Sequence, residues 1–210
     1  PRSIRVTANN LSRIYGDANP ALTYTIGGMG LVAGDSLTGA LATGATVTSN
    51  VGSYGIVQGT LAASSNYTLD FAGGTLTVQP RPLSIIVDAQ SRVYGNANPE
   101  LTYRIAGGGL VNGDTFNGAL TTTATSTSNV GDYAITLGNS AYSSNYALTF
   151  VGANLRVLPR PVLVFANDFS RVYGDANPVI GYTSMGLING DTLTGALAGP
   201  SAAASVGTYG

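Results

Sequence analysis

An Arg-(Ile/Val)-Tyr-Gly tetrapeptide begins at Arg13, Arg92 and Arg171, three times at a constant spacing of 79 residues. The same spacing links Pro1-Arg2 to Pro80-Arg81 and Pro159-Arg160. Self-similarity at a fixed period means that one folding unit is used again and again, and a period of this length is that of a small domain. The chain therefore divides into copies at 1–79, 80–158 and 159–210. The third copy is shortened near Tyr182-Thr183-Ser184-Met185 and stops at Tyr209-Gly210, before two strand-like segments that the others carry. It is expected to be the least stable of the three, because pairing partners are missing. The absence of an initial Met and the stop inside a recurring pattern read as an internal stretch of something longer.

Within a copy the apolar residues alternate. Leu22, Tyr24 and Ile26 are separated by threonines, and Leu101, Tyr103, Ile105 repeat the pattern one period on. Tyr133, Ile135, Leu137 and Tyr146, Leu148, Phe150 do the same, and further strands fit Leu83 to Val87 and Leu155 to Val157. A period of two predicts short strands with one buried face, five or more per copy. Asp17-Ala18-Asn19-Pro20 and its counterparts carry turn chemistry, an Asx side chain near the backbone and a fixed proline φ. Gly73-Gly74 and Gly152-Ala153-Asn154 stand where a hairpin would reverse the chain. Gly109 to Asp114 is compatible with one helical turn or with a loop. The fold class read from these signals is mostly β, in tandem small modules with at most a short helical turn in each.

Successive copies join through Gln79-Pro80-Arg81-Pro82 and Leu158-Pro159-Arg160-Pro161. Two prolines around one residue favour a stiff, extended link lacking two backbone donors. Such a link is expected to hold neighbours apart and to keep the last strand of one copy from continuing as a ladder into the next. A module of this size buries only about 60% of its unfolded surface, so core material matters. Trp is absent and Phe scarce, and tyrosines recur at Tyr15/94/173, Tyr24/103/182, Tyr54/133/209 and Tyr67/146. Strand alternation points three of these four sets toward the core, where tyrosine can bury its ring and keep its hydroxyl near the surface.

The run from Tyr94 to Tyr103, the Gly-Leu-Val-x-Gly-Asp sequence at 109–114 and Ser-Asn-Val-Gly-x-Tyr at 128–133 together resemble the MBG domain of the YGX type, a name that stands for mostly beta, glycine-rich. The first copy carries the same signals at Tyr15 to Tyr24, Gly30 to Asp35 and Ser49 to Tyr54. The third carries the first two and Ser205-Val206-Gly207-Thr208-Tyr209. The resemblance implies a mostly β, β-grasp-like module, repeated in very long bacterial surface or secreted proteins, among them filamentous-haemagglutinin-like adhesins of Gram-negative bacteria. It implies no catalytic residues.

The residues themselves offer little chemistry. Lys, His and Cys are absent, every cation is Arg, and the acids are nine Asp and Glu100. Nine positive and ten negative charges nearly cancel, so no electrostatic footprint for nucleic acid or an anionic membrane exists. No segment approaches the roughly 20 apolar residues of a membrane-spanning helix. Asp35, Asp114 and Asp191 recur once per copy, each after Gly, without the second carboxylate that glycoside hydrolysis requires. A calcium ion would take six to eight oxygens from several such groups, and a turn or capping role fits better. Asn96 replaces Asp17 and Asp175, as expected if the position needs a side-chain oxygen for a turn rather than a negative charge. The Gly-rich runs at 27–30 and 107–109 lack the Gly-Lys-Ser/Thr of a phosphate loop. Arg13, Arg92 and Arg171 beside a tyrosine read as packed surface pairs before they read as a ligand platform.

The expectation is thus a non-catalytic spacer of a bacterial surface or secreted adhesin, with no catalytic, cofactor or metal residues, whose partners are its neighbouring repeats. The alternative is a repeated weak site for host glycan or protein that acts by avidity.

Overall fold

The computed structural model describes residues 1–138 and 143–210. The first repeat contributes β1 (Arg2–Ala8), β2 (Leu11–Ile14), β3 (Tyr24–Gly28), β4 (Ala42–Thr43), β5 (Gly52–Val57), β6 (Tyr67–Ala72) and β7 (Gly74–Gln79). The second contributes β8 (Arg81–Val87), β9 (Gln90–Val93), β10 (Tyr103–Gly107), β11 (Leu120–Thr122), β12 (Gly131–Leu137), β13 (Tyr146–Val151) and β14 (Ala153–Leu158). The third gives β15 (Leu163–Ala166) and β16 (Tyr182–Met185). The chain is mostly β, and no helix among the described residues is long and apolar enough to cross a membrane. A β-grasp-like sheet around a helix is not what forms: the described residues contain no helix, and each full repeat builds two small sheets.

The sheets follow from where the buried periodicity is strongest. In β1 the buried Ile4, Val6 and Ala8 alternate with Ser3, Arg5 and Thr7. This strand is central, antiparallel to β3 and parallel to β6, with Val6 between Ile26 and Phe71. The strand order is β3-β1-β6, and the second repeat copies it as β10-β8-β13. The other sheet of the first repeat has the order β2-β7-β5-β4, and its central β7 buries Leu76 and Val78. In the second repeat the order is β11-β12-β14-β9. Ala8, Ala45, Ile56 and Leu76 form a core in the first repeat, supported by Leu11, Leu22, Leu41, Tyr54 and Phe71. In the first repeat the two sheets, each with one apolar face, close against one another, the simplest layered solution for strands of this pattern.

Compactness divides the chain into two units that do not follow the period. One comprises 1–88, 102–121 and 137–152, and so joins the whole first repeat to the β10-β8-β13 sheet of the second. The other comprises 89–101, 122–136 and 153–210, where β9, β12 and β14 lie with the third repeat.

Several expectations need correction. Gly73 and Gly152 do not turn hairpins: β6 and β7 belong to different sheets, as do β13 and β14, so the chain crosses from sheet to sheet there. A Cβ at Gly74 would stand 2.8 Å from the carbonyl oxygen of Ala8, which explains the small residue at that crossing. The alternation in β3 and β10 does not mark a buried face. Both are edge strands, Tyr24 and Tyr103 are half-buried, and Ile26 and Ile105 are exposed. Gly109 to Asp114 is a turn: Asp114 N donates to Val111 O at 2.9 Å, with φ of 57° at Asn112 and 79° at Gly113. Two successive positive φ values define a type I′ turn, which the Asn-Gly pair is suited to make.

Candidate functional site

Arg13 is the buried centre of β2, only 6% exposed. Its Nε donates to Asn19 Oδ1 at 2.7 Å, its Nη1 to Ile14 O at 3.1 Å and its Nη2 to Thr46 O. Asn19 in turn donates to Ala45 O at 2.6 Å. Arg92 repeats every contact, to Asn98, Val93 and Thr125, while Asn98 donates to Ala124 O. The guanidinium fork thus ties β2 to the turn after it and to the loop before β5. The asparagine of the expected Asx turn serves as the bridge. Neither arginine acts as an exposed ligand platform. Arg171 is half-buried and donates to Val172, Asp175 and Ser201 carbonyls instead.

The tyrosine that follows leads out of the repeat. Tyr15 is 4% exposed and shares a core cluster with Val78, Leu83 and Tyr146, flanked by Val51, Tyr54, Leu110, Val111 and Leu148. Its ring meets that of Tyr146 edge-on, centroids 5.6 Å apart. Its hydroxyl donates to Asp114 Oδ2 at 3.1 Å, and Tyr146 donates to the same oxygen at 2.7 Å. Val111 N donates to the Tyr146 oxygen at 3.0 Å, which locks the phenol in place.

Arg81 opens β8 and reaches back across the joint. Its Nη1 donates to Tyr15 O at 3.0 Å and to Asp17 Oδ1 at 2.8 Å, and its Nε holds Gly108 O at 3.0 Å. Gly16, at φ +83°, sits where an added Cβ would overlap Val111 Cγ2. Buried Asn145 completes the contact: its Oδ1 accepts from Val51 N and its Nδ2 donates to Asn50 Oδ1, both at 2.9 Å. The Pro-Arg-Pro link therefore does not hold the first two copies apart. Its arginine draws a Tyr-Gly-Asp turn onto the next copy, and a shared apolar cluster fills the space between. The expectation that the ladder breaks here is met, since β7 and β8 lie in separate sheets.

The second junction uses the same parts. Arg160 donates to Tyr94 O at 3.3 Å, to Asn96 Oδ1 at 3.2 Å and to Gly186 O at 3.1 Å. Tyr94 donates to Asp191 Oδ1 at 3.4 Å. Asn96 can replace Asp17 because the position supplies an oxygen to this arginine, not to a local turn. The sequence pointed to Asp35, Asp114 and Asp191 as turn or capping residues. Each lies at the end of its turn, and its carboxylate accepts tyrosine hydroxyls, from Tyr67 in the first repeat. Among the described residues no three Asp or Glu side chains group to hold a metal ion. Sequence reasoning missed Asn145 and the reach of Arg81, whose partners lie 64 to 95 residues away.

The electrostatics follow. Burial raises the Tyr146 pKa above its ordinary value and the Asp114 carboxylate adds to the rise, against the opposing Val111 amide. Tyr67 is raised chiefly by its hydrogen bond to Asp35. Both phenols stay protonated donors at neutral pH. Beside Asp114 a cavity of about 300 Å³ is lined by Leu83, Leu110, Phe116, Ser143 and Tyr146.

Comparison with family models finds the MBG domain (YGX type) three times, over residues 4–77, 83–156 and 162–210. The chain belongs to the MBG domain (YGX type) family. No curated protein and no solved structure matches it. In this MBG array the Tyr-Gly pair of the YGX motif is what each repeat inserts into its successor, and the Asx that follows receives the successor's arginine.

Proposed function

We propose that this array of MBG domains is a non-catalytic spacer in a bacterial surface or secreted adhesin, holding an adhesive part of the protein away from the cell. The observation that carries this reading is the reuse of one joint. Tyr, Gly and Asx of one repeat meet Arg and Asp of the next at both junctions, so each added copy repeats the same relation to its neighbour. Nearest-neighbour contacts of this kind let an array grow without new interactions. The near-neutral charge and the abundant Ser, Thr, Asn and Gly support it, since such a surface invites no electrostatic partner. The Gram-negative setting and the filamentous-haemagglutinin-like context belong to this proposal through the family alone.

Small-angle scattering on residues 1–210 tests it. A single globule of this length has a radius of gyration of about 17 Å, whereas three small domains in line give roughly 25 Å. The larger value is expected. The smaller would overturn the spacer and favour a compact binding body, to be followed by a screen for glycan or host-protein binding.

A further inference from the structure

The first repeat carries the surface that its successors use to grip their predecessors. Arg2, Val32, Asp35, Asn66 and Tyr67 stand one period before Arg81, Val111, Asp114, Asn145 and Tyr146. The internal bonds of the site are already made. Arg2 donates from Nη2 to Met29 O, the counterpart of the Gly108 O that Arg81 Nε holds, and from Nε to Gly30 O at 2.8 Å, while Val32 N donates to Tyr67 Oη at 2.9 Å as Val111 N does to Tyr146 Oη. Tyr67 donates to Asp35 as Tyr146 does to Asp114. What differs is burial. Val32 is 53% exposed where Val111 is half-buried, Asp35 is exposed where Asp114 is half-buried, and Asn66 is exposed where Asn145 is buried.

We infer that this face of the first repeat is a preformed socket for the Tyr-Gly-Asx turn of another MBG repeat. The chemistry fixes the occupant. Asp35 offers its carboxylate to a second phenol, as Asp114 does to Tyr15. Arg2 offers the Nη1 donors that Arg81 gives to a backbone carbonyl and an Asx oxygen, and Asn66 offers the amide that Asn145 gives to the Asn-Val pair before β5. Val32 leaves room only for glycine after the tyrosine, as Val111 does for Gly16. A turn lacking that glycine, or with an apolar residue in place of Asx, does not fit. The socket thus selects a member of the same family over an unrelated strand or loop.

The test places a copy of residues 1–79 directly before Pro1 of the full chain, which reproduces the Gln-Pro-Arg junction, and follows amide exchange in residues 29–36 and 66–67 of the original first repeat. Seating of the added turn is expected to slow exchange there at least tenfold relative to the 210-residue chain. Two variants of the fusion are compared with it: Gly16→Val in the added copy, which blocks the seat, and Asp35→Ala in the original copy, which removes the acceptor from the socket side. Each is expected to return the exchange toward that of the unextended chain while the β1 and β7 amides of the added copy stay protected, showing that it is folded. Unchanged exchange on adding the copy, or slowing that survives both variants, overturns the proposal.

Discussion

The hydroxyl of Tyr15 donates to the carboxylate of Asp114 at 3.1 Å, across 99 residues of sequence. The same oxygen accepts from Tyr146, so one carboxylate fastens a residue of the first repeat to a residue of the second. A hydrogen bond to a charged group contributes about 1.5–3 kcal/mol. Asp114→Ala is therefore expected to destabilise the chain by about that much in urea unfolding, and Asp114→Asn by less, because an acceptor oxygen remains. Asp191→Ala, at an exposed site with one contact at 3.4 Å, should cost no more than about 0.5 kcal/mol. Equal losses at the two positions would refute the difference between the joints.

Arg13 and Arg92 satisfy a carbonyl on each side of a buried fork. Lysine cannot reproduce the fork, and each buried acceptor left unpaired costs about 1–3 kcal/mol. Arg92→Lys is expected to lower stability within that range. Arg171→Lys, on a half-buried counterpart whose bonds lie at the surface, should move the urea midpoint less.

Gly16 and Gly174 both adopt left-handed φ, +83° and +91°, but only Gly16 faces a neighbour at the position of an added Cβ. Alanine in this region costs about 1–2 kcal/mol from backbone conformation alone. At Gly16 overpacking against Val111 should add a further 1–3 kcal/mol or so. Thermal unfolding of the two alanine variants separates the terms, and a Gly16→Ala no worse than Gly174→Ala would mean that the joint yields.

The raised Tyr146 and Tyr67 phenols make stability depend on alkaline pH. Their unfolded value is near 10, and the native state keeps each proton to higher pH. Their contribution is whole below about pH 10 and is lost as pH rises through the folded values, since the unfolded chain then holds fewer protons. Urea midpoints taken from pH 8 upward should fall above that point. Tyr146→Phe should flatten part of the fall, and an unchanged profile would exclude Tyr146 as a source.

The third repeat pairs β15 with β16 alone, whereas β1 and β8 have partners on both sides, and every residue of β15 is exposed. Amides of β15 are expected to exchange well before those of β1 and β8. Equal protection would contradict the reading that pairing on one side alone leaves β15 less stable.

Much of the fold was legible in the sequence because a strand with one buried face writes its period into the residue types. The 79-residue repeat, the strands around Leu83 to Val87 and Leu155 to Val157, and the mostly β class rest on nothing else. The period fails where the buried residue is polar. In β2 the buried member is Arg13, so Leu11 to Ile14 shows no alternation of apolar with polar residues. It also misleads at edges, where β3 carries the pattern without the burial.

The sequence by itself determined which residues recur, and hence that Tyr15, Arg81, Asp17 and Asp114 have some constant task. Only the tertiary structure decided that the task is shared between repeats. Local periodicity reports which way a side chain faces along its own strand. It carries no information on which sheet that strand joins, because sheet membership is set by hydrogen bonds and apolar contacts between segments up to about a hundred residues apart.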